Sequence, residues 1–153
     1  MTDRQILLVK HSWSFVIIRS EEAGELFYNK LFELHPELRP MFKNDLVFQA
    51  KKLIAMVTVM ITKLQKMDDI MPEIHALAQR HVGYGTRPEH YAVVGKALVW
   101  MLEQGLGNRW TDETRVAWET WYNQLAKAMI EATEQPGSYI SPFKPVESSN
   151  ASE

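Results

Sequence analysis

The stretch Leu46-Val47-Phe48-Gln49-Ala50-Lys51-Lys52-Leu53-Ile54-Ala55-Met56-Val57-Thr58-Val59-Met60-Ile61-Thr62-Lys63-Leu64-Gln65-Lys66 decides the fold. Leu46, Ala50, Leu53, Val57, Met60 and Leu64 recur at steps of four and three. That period lines up one face of a helix, whereas a half-buried strand needs alternation at every second residue. Strict alternation is sustained nowhere in the chain, and no Asn-Gly or Asp-Gly hairpin turn occurs. The spacing therefore predicts one long helix from about Leu46 to Lys66. The polar break Lys43-Asn44-Asp45 offers a cap in front of it, and Asp68-Asp69 ends it or caps the next helix. Its longest apolar run, Leu53 to Ile61, is too short to cross a bilayer.

The same period extends in both directions. Upstream, Thr2 with Gln5 reads as a capping box before the stripe Ile6, Val9, Trp13, Val16 and Ile17. Ser20 is the expected cap of a second helix carrying Ala23, Leu26, Phe27, Leu31 and Leu34. That helix stops near His35, because Pro36 disfavours helical geometry in the residue before it. Pro36 in turn suits the first position of a short helix ending at Phe42. Downstream, Pro72 is expected to open a helix with Ile74, Leu77, Ala78 and His81 on one side, broken by Gly83-Tyr84-Gly85. Pro88 opens another, bearing Tyr91, Val94, Leu98 and Met101. Thr111 caps the last, which runs to about Thr133 with Trp118, Trp121, Tyr122, Leu125 and Met129 along it. About seven helices with short connections make an all-α domain over residues 1–134. Residues 135–153, rich in Pro, Ser and Gly, read as an extended or disordered tail.

Composition narrows the function. The 153 residues fit one domain. A net charge of −2 carries no electrostatic footprint for nucleic acid or anionic membrane. The absence of cysteine excludes disulfides, thiolate metal sites, thiol nucleophiles and thioether-linked haem. The N-terminus enters a polar helix pattern at once, with no secretory signal in view, so a cytoplasmic protein is expected.

Of the five histidines, His11 and His75 lie on polar stretches, His35 precedes a proline and His90 sits in a first helical turn. Each reads as a solvated side chain. His81 is in phase with Ile74, Leu77 and Ala78 and stands beside a glycine corner. It is either a hydrogen-bonded core residue or a ligand. If its helix faces the long one, Phe42 and Leu53 would wall a flat slot, Tyr28 and Gln49 would supply donors on one side, and His81 a nitrogen on the other. An imidazole suits iron, and a single axial histidine leaves the opposite position open to a gas. Hydroxyl and amide groups can donate to a partly negative oxygen. The other reading of Phe42, Leu53, Val57 and Leu98 is plain core.

Several motifs together resemble a known family, the globins, and most of all the bacterial single-domain globins and the globin part of flavohaemoglobins. They are Leu26-Phe27-Tyr28-Asn29-Lys30-Leu31-Phe32, His35-Pro36-Glu37-Leu38-Arg39-Pro40-Met41-Phe42, Gln49-Ala50-Lys51-Lys52-Leu53, Gln79-Arg80-His81, Pro88-Glu89-His90-Tyr91 with Val94-Gly95, and Ala117-Trp118 with Tyr122. The resemblance covers about residues 3 to 132, and the 32 residues from Gln49 to His81 fit that bacterial group. It implies a globin fold around one non-covalent haem b. It implies His81 as the iron ligand, Tyr28 and Gln49 at the gas, Leu53 beside them, and Phe42, Val94 and Leu98 against the haem with Tyr91 near the histidine. Val57 joins the expected apolar lining. Lys52, Arg80 and Arg87 are candidate partners for the haem propionates.

Two departures qualify the resemblance. Thr133 falls where flavohaemoglobin-like globins place a glutamate that reaches the proximal histidine. Its loss argues against strong electron push toward oxygen activation. The flavin and nicotinamide domains are also missing, so redox turnover needs a separate reductase. The function expected is reversible binding of dioxygen, as carrier or store. Its rival is nitric oxide dioxygenation with an external reductase; a gas sensor and a haem-free helical interaction module come behind. Dioxygen, nitric oxide and carbon monoxide are the expected partners, with no nucleic acid and no membrane.

Overall fold

Local capping chemistry sets most helix boundaries. The computed structural model describes residues 1–43, 45–63, 67–133 and 139–144, of which 67–70 by backbone alone. Helix α1 spans Asp3–Ile17, α2 Ser20–Leu34, α3 Leu46–Thr62, α4 Met67–Gly83, α5 Pro88–Leu106 and α6 Asp112–Glu131, with short 3-10 helices at Pro36–Met41 and Gly107–Arg109. No strand occurs among the described residues. At α1 the capping box closes: Gln5 donates its backbone N–H to the Thr2 hydroxyl, and Thr2 donates its own to the Gln5 side chain, both at 3.0 Å. Asp45 accepts from Phe48 N–H at 2.9 Å and Thr111 from Thr114 N–H at 3.1 Å.

Three boundaries differ from the sequence reading. Ser20 lies inside α2, whose N-cap is Arg19 without a side-chain cap bond. Residues 18 and 19 bridge α1 and α2 so tightly that the Ala23 N–H already reaches the Arg19 carbonyl at 2.9 Å. Pro72 sits within α4 rather than at its head. A proline there forgoes one helical hydrogen bond near the start, where few bonds are lost. The segment after Pro36 is a 3-10 helix. The described part of α3 ends at Thr62; Leu64 to Lys66 lie outside the described residues.

Helix α2 is the hub: it packs on α3 on one side and on α5 on the other. Its crossing with α3 is close because Gly24 has no side chain. A Cβ on Gly24 would lie 2.2 Å from Ala50 Cβ and 3.2 Å from Ala50 Cα. Helix α1 lies on α6, and the indoles between them are hydrogen-bonded as well as buried. Trp118 Nε1–H donates to Ser12 Oγ at 2.8 Å, and Trp13 Nε1–H to Thr58 Oγ1 at 2.9 Å, which ties α1 to α3. A buried indole N–H left without such a partner would cost about 1–3 kcal/mol. Arg4 pairs with Glu113 at the exposed end of the same contact.

Helix α4 is attached differently. Among the described residues it packs on α6 and makes no comparable contact with α3 or α5. Among the described residues the consecutive helices α3 and α4 are not packed face to face, though Lys63 at the end of α3 donates to Glu73 on α4 at 2.5 Å, and the buried face of α4 is Ile74, Leu77 and Ala78. No helix of the described residues is long and apolar enough to cross a membrane. Residues 139–144 form no helix but lie against the core: Tyr139 and Phe143 pack on its edge.

Candidate functional site

His81 occupies the last turns of α4, one helical step beyond Leu77 and Ala78. The helix ends tightly behind it. The Thr86 N–H reaches the His81 carbonyl at 3.0 Å and the Tyr84 N–H the Arg80 carbonyl at 3.1 Å. Gly85 takes φ +88°, a left-handed conformation suited to glycine. The imidazole is half-buried, with Nδ1 2.8 Å from the Leu77 carbonyl oxygen. A carbonyl can only accept, so Nδ1 carries the proton. Burial holds the ring's pKa below its ordinary value; the Leu77 carbonyl opposes that shift and Arg80 adds to it. The neutral ring therefore presents a bare lone pair on Nε2. Tyr84 and Tyr91 flank it with ring centroids 5.8 and 6.5 Å away, Tyr91 tilted by only 30°.

A second group forms where α2 meets α3. The Tyr28 ring is buried among Phe27, Phe32 and Phe42, at centroid distances of 4.9, 5.9 and 5.3 Å. Its hydroxyl donates to the Gln49 backbone carbonyl at 3.3 Å. Burial raises the phenol pKa well above its ordinary value, so the group stays a donor. Gln49, Leu53 and Phe42 are half-buried, and Val57 is buried below them. On α5, Tyr91 and Leu98 are buried and Val94 is half-buried. The structure thus forms two groups, Tyr28 with Phe42 and Gln49 where α2 meets α3, and His81 with Tyr91 where the end of α4 meets the start of α5. The packing of α2 on α5 joins the two halves.

The three cations named from the sequence are all exposed. Lys52 Nζ lies 5.3 Å over the Phe48 ring, and Arg87 stands 3.8 Å from Glu89. Arg80 is the one whose charge reaches His81.

Three features escaped sequence reasoning. His35 and His90 are not simply solvated: their rings meet edge to face at 5.8 Å, because α2 lies on α5. His90 Nδ1 also accepts the Arg87 backbone N–H at 3.0 Å, a cap that its place three residues after Arg87 could have signalled. The Tyr122 hydroxyl donates to the Tyr91 carbonyl at 2.5 Å, a link between α6 and the start of α5. Thr133, at the family's glutamate position and just past the end of α6, donates its hydroxyl to the Ile130 carbonyl at 2.5 Å. A separate open groove of about 940 Å³ lies between the start of α1, α4 and the end of α6; His75 and Ile6 line it, but none of the candidate site residues does.

Comparison with known proteins bears on the family and the fold. The globin family model matches residues 25–129. The chain is 34% identical over 126 residues to the flavohemoprotein of Bordetella parapertussis, covering 80% of this chain and 31% of that protein. It is 32% identical over 122 residues to the flavohemoprotein of Oceanobacillus iheyensis, covering 75% and 30%. The chain therefore spans about a third of the length of these relatives. Among solved structures, a bacterial globin from Campylobacter jejuni superposes with a TM-score of 0.75 at 26% identity, covering 86% of this chain and 95% of that one. A hexacoordinated heme protein from an anhydrobiotic tardigrade gives 0.78 at 19% identity, covering 86% and 94%, and shares the fold alone. With the family model over most of the chain, the helical order, and relatives above 30% identity, the chain belongs to the globin family.

Proposed function

We propose that this chain holds one non-covalent haem b between α3 and α4, with His81 as the axial ligand, and that it binds dioxygen reversibly. The observation that carries the reading is the His81 ring. It is neutral, its Nδ1–H is committed to Leu77, and its Nε2 is left as a free donor atom. The second nitrogen of a metal-binding histidine is characteristically fixed by such a bond. The residues present fit the group. Phe42, Leu53 and Val94 are apolar and half-buried, Val57 and Leu98 lie buried among them, and α3 and α4 do not close on each other. Lys52, Arg80 and Arg87 are near-surface cations suited to the propionates. When bound, the haem would supply an iron centre able to bind a diatomic gas, whether dioxygen, nitric oxide or carbon monoxide, and His81 would hold that iron.

The chain's own part is to orient and to donate. Leu77 holds the His81 plane. Tyr28 and Gln49 offer a hydroxyl and an amide on the opposite side, where a hydrogen bond favours a gas ligand that gains negative charge. Thr133 brings no carboxylate to His81, and its hydroxyl donates back to Ile130 at the end of α6. That favours reversible binding over strong oxygen activation. The absence of cysteine suits a reducing compartment, and we place the protein in the cytoplasm.

Reconstitution with haem tests the proposal. The parent is expected to give a Soret band and reversible oxygenation after reduction. His81→Ala should lose stable haem or change the axial spectrum, while His35→Ala and His90→Ala keep it. An unchanged spectrum in His81→Ala without added imidazole would show the assignment wrong. The likeness to flavohemoproteins supports a second reading, nitric oxide dioxygenation. Nitric oxide, dioxygen and one electron from a separate reductase would then give nitrate. Sustained nitric oxide consumption with a reductase, measured on the oxygen-binding sample, separates the two.

A further inference from the structure

The stretch 139–144 belongs to the segment that reads from sequence as an extended or disordered tail, and it makes specific contacts beside the candidate proximal half of the site. Tyr139 donates its hydroxyl to Asn123 Oδ1 at 2.6 Å. Phe143 stands edge-on to the Tyr122 ring, with centroids 6.2 Å apart. Both rings reach the α5 backbone because residue 95 is glycine. A Cβ there would lie 2.7 Å from Tyr122 Cε2 and 3.2 Å from Phe143 Cζ. Tyr122, fully buried, donates at 2.5 Å to the Tyr91 carbonyl, the same carbonyl that faces the Gly95 N–H one helical turn on. The Tyr91 ring in turn lies alongside the His81 imidazole.

We propose that Tyr139 and Phe143 are positioning residues: the segment 139–144 is a strap that presses Tyr122 onto α5 and, through Tyr91, sets the orientation of His81. The chain of contact is continuous and short, running Phe143, Tyr122, the Tyr91 backbone, the Tyr91 ring and His81. Each link has little room to yield. Tyr122 is held between Gly95, Phe143 and a short hydrogen bond. A strap that only stabilised the fold would leave the histidine unaffected once the protein was folded. A strap that positions Tyr91 acts on the bond His81 makes.

This inference rests on His81 being the iron ligand, and the experiment separates the two claims. In the full-length, haem-loaded, ferrous protein, the iron–histidine stretching band is recorded by resonance Raman for the parent, Phe143→Ala, Phe143→Leu, Tyr139→Phe and His81→Ala. Carbon monoxide association is measured on the same samples. Phe143→Ala is expected to shift the band and to change association by about two- to threefold, the size of a modest coupling between neighbouring residues. Phe143→Leu, which restores most of the contact, should return both toward the parent. Tyr139→Phe, which removes one hydroxyl and keeps the packing, should shift the band in the same direction but less. A band unmoved in folded, haem-loaded Phe143→Ala and Tyr139→Phe overturns the strap and leaves His81 as ligand. If Phe143→Ala does not fold, Tyr139→Phe decides by the same criterion. A parent band that persists unchanged in His81→Ala overturns both claims.

Discussion

Tyr28 donates to a backbone carbonyl 3.3 Å away, and a gas ligand must compete with that acceptor for its proton. The bond is long, so the competition is weak. A donor to a charged acceptor is worth about 1–2 kcal/mol, so losing it should speed oxygen release roughly 5–30-fold. Stopped-flow oxygen dissociation should show this for Tyr28→Phe, with faster autoxidation and a much smaller effect on carbon monoxide. If Tyr28→Phe and Gln49→Leu both stay within about twofold of the parent, below that expected size, the distal assignment fails. Spacing put His81 in phase with Ile74, Leu77 and Ala78 and left it a core residue or a ligand; its candidacy as ligand came from the family resemblance. The partner of Tyr28 was not legible, because it depends on where two helices cross.

His90 supplies a pH dependence at the same scale. Its pKa is lowered by burial, with Glu89 opposing and His35 and Arg87 adding to the shift; Glu37 faces its neighbour His35. The unfolded chain takes up this proton near pH ~6.5, the folded one only at lower pH. Between those values the unfolded state binds more protons, so stability falls as the pH drops. Protonation at Nδ1 would also cost the Arg87 cap. Replacement by glutamine keeps a capping acceptor without the titration. Melting temperature followed downward from pH ~6.5 should therefore fall less steeply in His90→Gln than in the parent. Equal slopes would show that His90 does not contribute.

At the scale of elements, the α2–α3 crossing is the contact least able to change. Gly24→Ala gains up to about 1 kcal/mol in helix propensity. It must also move two backbones, since the new Cβ meets Ala50 at 2.2 Å. Overpacking of this kind costs about 1–3 kcal/mol or more, so a net loss of about 2 kcal/mol is expected, several degrees in melting temperature for this length. Adding Ala50→Gly should restore part of it; a Gly24→Ala protein as stable as the parent would show that the helices separate freely. Element boundaries were legible where the signal was local, as at Thr2, Asp45 and Thr111, whose side chains bond their own first turns. They were misread where tertiary contact overrides local preference. Pro72 is carried inside α4, and α2 begins without a side-chain cap because α1 runs almost straight into it.

At the scale of the whole molecule, five helices close on one another around α2, α5 and α6, while α4 is joined among the described residues chiefly to α6. The helical order and the apolar faces could be read from period alone. This uneven attachment could not, because period gives the face that is buried and not the helix that buries it.

That uneven attachment has a consequence for the order in which the molecule opens. Regions with few buried contacts exchange their amide protons through local excursions, far below the free energy of global unfolding. In the haem-free protein, α4 should exchange deuterium well ahead of α5 and α6, from Ile74 through His81 together. A ligand that binds the native state alone suppresses such excursions by mass action, so haem should slow exchange in α4 most and in α1 least. Uniform slowing across all six helices would mean that α4 opens only with the rest. If instead the protection is confined to α4, this helix works as a hinged side wall, and the prosthetic group would enter by its brief detachment from α6.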